Sequence, residues 1–161
     1  MSVFKSQFTR ALRAHPSDFA DVAYPNVTTS GANTSGGAFK LINSAATFVT
    51  NGVRIGDIVH NDTLGTAATV TFVDSQTTLT MNADIFVAPS QTYKVYASSS
   101  FSGYPNTGCF LYVGGAGNVS VVTIGGDIIT FIGVAAGTTL PIQVMRLRAT
   151  STTATQINAM W

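Results

Sequence analysis

The sequence predicts an all-β protein, built from antiparallel β-sandwich or small β-barrel modules with an extended N-terminal arm. Three observations predict it. First, only 9% of the residues are charged, 45% are hydrophobic, and no glutamate occurs anywhere. Glu and Lys are the usual fillers of exposed helix faces, whereas the Thr, Val, Ile and aromatic residues that dominate here fit the half-buried surface of a pleated sheet. Second, apolar and polar residues alternate with a period of two through most of the chain. Third, these short alternating runs recur every 8 to 12 residues or so, with glycine-rich turn signals between them.

Taken in order, residues 1–27 differ in composition from the rest of the chain and form the arm. Lys5, Arg10 and Arg13 stand among apolar residues, so a cleavable secretion signal is not expected here. Phe4, Phe8 and Leu12 fall at i, i+4 and i+8, one face of a short helix, but Pro16 and Pro25 stop it from growing. An arm that becomes ordered on a neighbouring subunit is preferred over a helix packed on its own domain. Its contact residues would be Phe4, Lys5, Phe8, Arg10, Leu12 and Arg13.

Residues 28–97 form the first β module. TTSGANTSGG reads as a loop, and FKLIN, ATFVT, GDIVHN, ATVTFV, TLTM and YKVYA read as strands. In ATVTFV, Thr69, Thr71 and Val73 share one face while Val70 and Phe72 share the other. Residues 98–161 form the second module, with strands CFLYV, NVSVVTI, DIITFI, LPIQVMRLRA and TQINAMW broken by GGAG, GG and AAGTT. The final strand, ending at Trp161, is expected to be tied into the sheet.

Catalytic, metal and ligand chemistry find little purchase. GGAGN comes after a strand, but the alternating NVSVVTI comes next in place of a helix, so no phosphate loop is formed. Five glycines with Asn118, Ser120 and Thr123 rule out a membrane helix over residues 109–126. Of the seven aspartates, Asp57, Asp62, Asp74, Asp84 and Asp127 sit beside turn residues and read as turn formers. Asp57 and Asp62 lack the further acidic ligands of a calcium loop. His15 and His60 are far apart in sequence and match no zinc spacing. Cys109 is alone and reads as a small buried hydrophobe. No cofactor, metal site or catalytic residue is expected.

A chain of net charge +1 whose basic residues gather only in the arm offers no stripe for nucleic acid. It also has little electrostatic protection against self-association, which implies a surface covered by a partner or by copies of itself. Arg146 and Arg148, two apart on one strand face, could meet an acidic surface of such a partner.

Residues 108–161, GCFLYVGGAGNVSVVTIGGDIITFIGVAAGTTLPIQVMRLRATSTTATQINAMW, resemble the β module of the head-spike-base family of gene transfer agents and related tailed-phage virion proteins. The likeness lies in the order of turns and the terminal Trp. The middle segment SAATFVTNGVRIGDIVHNDTLGTAATVTFVDSQTTLTMNADIF is similar to a module of phage structural proteins, as is the opening FKSQFTRALRAHPSDFADVAYPNV. The resemblance implies a virion protein of a double-stranded DNA phage, made in the host cytoplasm. It would decorate the outer capsid surface as a cement protein bound to the major capsid protein, as a homotrimer and without enzymatic activity. A head spike base, or a tail-fibre or baseplate component in host attachment, is the alternative. Such a component would contact a spike or fibre protein, and Tyr93, Tyr96 or Tyr104 could then face a glycan.

Overall fold

The computed structural model describes residues 8–98 and 107–161, which places Phe4, Lys5 and Tyr104 outside the described residues. Among the described residues there is no helix; the chain forms two six-stranded antiparallel sheets.

The first sheet contains β2 (Val27–Ala32), β3 (Lys40–Ile42), β4 (Ile58–Asn61), β5 (Thr66–Val73), β6 (Thr78–Met81) and β7 (Thr92–Tyr96), in the order β2-β7-β4-β5-β6-β3. β5 is its corner strand. Residues Thr66 to Thr69 pair with β4, and Val70 to Val73 pair with β6, with a register shift between Val70 and Phe72. A bulge of this kind bends the strand and breaks its alternation. Val70 is therefore buried while Phe72, expected on the same face, is exposed. At the far corner Ser35 bridges Ile42, so the outer strands β2 and β3 nearly meet and the sheet curls around its own core. That core is Leu41, Phe48, Val59, Val70, Leu79, Phe86, Tyr93 and Val95, each at most 2% exposed.

The second sheet contains β1 (Ala11–Arg13), β8 (Cys109–Gly115), β9 (Gly117–Thr123), β10 (Ile128–Val134), β11 (Thr138–Leu147) and β12 (Thr155–Met160), in the order β1-β12-β8-β11-β9-β10. The long β11 pairs with β8 through its first half and with β9 through its second. Leu111, Val113, Val119, Val121, Val144, Leu147 and Ala159 form its core. Each fully buried Val or Leu contributes about 1.5–3 kcal/mol of hydrophobic stabilisation. The glycines of GGAG belong to this packing. A Cβ on Gly115 would collide with the Thr155 hydroxyl, and one on Gly117 would lie 2.5 Å from the Ala154 amide nitrogen. Their lack of a side chain lets β12 press against the β8–β9 corner; β8 and β9 do not pair with each other, each flanking β11 instead.

Three expectations need correction. TTSGAN is not a loop, because β2 runs through it and pairs with β7. ATFVT is not a strand. It forms turns that drop Phe48 into the core, with the Phe48 amide bonded to the Gln76 carbonyl. Of the arm, residues 8–26 form no helix and pack on their own chain.

Residues 11–13 form β1, which pairs with β12 in the register Ala11↔Met160 and Arg13↔Asn158. Residues 14–26 then run between the two modules. The Ser17 and Val22 amides donate to the Leu147 and Met145 carbonyls of β11. The Phe19 carbonyl accepts from Thr69 Oγ1 and from Asn82 Nδ2, and the Ser17 hydroxyl donates to the Ala67 carbonyl. Ala14 and Val22 join the core of the second sheet, while Ala20 and Ala23 pack with Ile58, Ala67 and Tyr96 of the first, with Leu12 against them. Small side chains on both faces let the segment fill the seam. The prolines that forbid a helix suit this extended course.

Candidate functional site

Within the chain, the expected arm contacts are largely used on the chain itself. The Phe8 ring packs on Phe110 with centroids 5.4 Å apart. Arg10 donates to the Pro25 carbonyl at 2.7 Å and its guanidinium lies over the Tyr24 ring. Leu12 is half-buried in the seam, and Arg13 is exposed at the rim of a cleft. Arg146 and Arg148 do share a face, but the acidic surface they meet belongs to their own chain. Arg146 holds Asp21 at 2.7 Å, and Arg148 stands 3.6 Å from Asp18. Burial works to raise the Asp18 carboxyl, yet hydrogen bonds from the Thr150 hydroxyl and amide, with Arg148 nearby, hold it below the usual range.

The two histidines, assigned no role by their spacing, meet at the seam. All four residues of β4 are buried, and alternation divides them. Val59 belongs to the first-sheet core, and the Asn61 amide donates inside that module to the Ile85 carbonyl. Ile58 and His60 face the segment instead, and Asp62 stands two residues on. His60 pairs in register with Lys94 of β7, and Lys94 Nζ reaches Asp62 Oδ2 at 2.9 Å. His15 arrives from the segment. Its ring stands edge-on to His60 with centroids 4.5 Å apart, and its Nε2 lies 3.2 Å from Asp62 Oδ1. The Tyr96 ring closes the other side of His60 at 4.7 Å.

Burial pulls His60 down to about 3, with the positive potential of His15 and Lys94 adding to it against Asp62. Burial also lowers His15, opposed by its hydrogen bond to Asp62. For Asp62, burial acts upward but is outweighed by the hydrogen bonds from Lys94 and His15, so the carboxylate is held ionised. At neutral pH the group is thus two uncharged imidazoles beside one carboxylate, whose ligand atoms lie within 4.8 Å of one another. A cleft of about 500 Å³ opens beside them, lined by Arg13, His15, Asp62, Leu64, Thr155 and Gln156 among others. Gln156 adopts a φ of 53°, a left-handed backbone uncommon outside glycine. By contrast, burial raises the Cys109 thiol to about 12, so it supplies no thiolate.

The predicted strand GDIVHN carries His60 but ends at Asn61, and Asp62 read as a turn former; only their spacing of two could have pointed to a shared face. His15 carried no signal, because its approach depends on the path of the segment through the seam.

A second feature is the outer strand β10. Ile128, Ile129 and Ile132 are exposed, the last by 75%, and Ile124 just before the strand is exposed too. No charged residue lies within β10, and its outer edge has no partner strand among the described residues. No family model, curated protein or solved structure matches this chain.

Proposed function

We propose that this chain is a non-catalytic structural subunit that works by association. In the form implied by its resemblance, it is a decoration protein on the outer capsid surface of a double-stranded DNA tailed phage, bound to the major capsid protein. The observation that carries the reading is β10. An uncharged edge strand showing isoleucine on its surface is a template for further pairing, and proteins that stay monomeric blunt such edges with charge, proline or cover. We assign it to a second copy of this chain, since a net charge of +1 gives little repulsion between copies. In a ring of three, β10 of one copy meets a different surface of the next.

The test compares the protein with an Ile128→Lys/Ile132→Lys variant, measuring mass in solution by light scattering and occupancy on capsids lacking this protein. The expected result is a trimer that decorates capsids, reduced to a monomer with weak occupancy by the two lysines. A wild-type monomer, or a variant that decorates capsids at full occupancy, would overturn the assignment.

A further inference from the structure

The geometry points to a binding site for one divalent first-row transition metal ion at the seam, with His15, His60 and Asp62 as its protein ligands. Their donor atoms lie within 4.8 Å of one another. A tetrahedral ion with bonds of 2.0–2.2 Å sets its ligands about 3.4 Å apart. His15 Nε2 and Asp62 Oδ1, at 3.2 Å, already stand at that separation. The other donor pairs, within 4.8 Å, would close by side-chain rotation.

A second observation is the setting of His60. It is 2% exposed, and its ring is held between those of His15 and Tyr96, which keeps its ring nitrogens within reach of the other two donors. Two imidazoles with one carboxylate suit zinc, cobalt or nickel, whereas calcium and magnesium prefer an all-oxygen set.

The surroundings fit the same reading. Lys94 takes Asp62 Oδ2, which fixes the carboxylate and leaves Oδ1 turned towards His15, the role of an outer partner that orients a ligand. The cleft that His15 and Asp62 line gives a fourth coordination position access to water, beside the strained Gln156. Because His15 comes from the segment and the other two ligands from the first module, the ion would staple the segment in place.

The test uses the tag-free full chain, stripped by chelator and dialysed, then titrated with Co²⁺ followed by Zn²⁺. The expected result is a visible absorption band of tetrahedral cobalt that saturates at one equivalent per chain and is displaced by Zn²⁺. The thermal midpoint should rise with Zn²⁺ and not with Mg²⁺. His15→Gln and Asp62→Asn should each weaken binding by more than ~100-fold, and Lys94→Met by about 10- to 100-fold. His15 is only half-buried, so its variant keeps the fold even where a His60 variant does not. Absence of saturable cobalt binding, or unchanged affinity in the folded His15→Gln and Asp62→Asn proteins, would overturn the site.

Discussion

The two modules solve the same problem with different materials. The first buries a set of amides and acids, Asn33, Asn43, Asp57, Asn61 and Gln91, and closes nearly all of its loops with them. Asn61 is the clearest case. Its carbonyl oxygen accepts from the Thr63 and Leu64 amides, and its amide nitrogen donates to the Ile85 carbonyl and to Gln91 Oε1. Asn33 similarly ties Gln91 and Ala88, 58 and 55 residues away. The second module buries Ser120 and Thr123 as its only polar side chains among the described residues, around an aliphatic core, and leaves β10 open. The first module is thus closed by its own side chains, while the second keeps an open edge, the one used in the proposed association.

The largest expected effect tests the first half of that contrast. Asn61→Ala takes the partner from the buried Ile85 carbonyl and from the part-buried Thr63 and Leu64 amides, and should cost about 4 kcal/mol in urea denaturation. Ser120→Ala, equally buried but bonded only to Thr130 and weakly to Arg148, should cost about 1 kcal/mol. Equal losses would erase the distinction between the modules.

Acid should sharpen the difference at the seam. In chelator, His60 titrates near 3 in the fold against 6.5 in the unfolded chain, so the unfolded chain binds the extra proton between those values. His15 is shifted in the same direction, and the charges facing the pair are Asp62, Lys94 and, more weakly, Arg13. Stability is therefore full above pH 6.5 and falls as pH drops through the window, by something on the order of 3 kcal/mol at its lower end. Asp18, which holds the segment to the second module, is lowered from 3.8, so its contribution remains until the pH falls below that value. Equilibrium unfolding at pH 7, 5 and 3.5 should show the earlier loss. A flat profile between pH 7 and 5 would count against the buried neutral histidines.

Smaller effects are expected at the segment and the edge. Ser17→Ala removes one donor to Ala67 and the acceptor of the Phe19 and Ala20 amides, and should cost about 2 kcal/mol. Ile132→Lys, on a side chain 75% exposed, should change monomer stability by less than about 0.5 kcal/mol. A large loss there would mean that β10 is part of the core and not an edge.

The all-β class and most strands from β4 to β12 were legible, because alternation and turn chemistry are local properties of the chain. NVSVVTI read as a strand, and β9 runs through it. The failures have physical causes. β2, Val-Thr-Thr-Ser-Gly-Ala, shows no apolar–polar alternation and carries a Ser-Gly pair that reads as a turn, so only its pairing with β7 marks it as a strand. Phe72 left its predicted face because of a bulge that no local pattern announced. Arg146 and Arg148 were read as a pair that could face a partner's acidic surface; their acidic groups within the chain were not foreseen, because Asp21 lies 125 residues from Arg146, and Asp18 is equally remote in sequence from the strand it meets. The His15 and His60 meeting was hidden for the same reason.

That separation also orders events during synthesis. The segment of residues 14–26 leaves the ribosome early, yet Asp18 must wait for Thr150, 132 residues later. At about 5–20 residues per second that is a delay of roughly 7 to 26 s. The first module can gather its own strands in that interval, but the strip destined for the second module stays uncovered. Vectorial folding thus leaves the seam as the final joint to set, and the growing chain relies on its first module to keep the strip in register until β11 and β12 arrive.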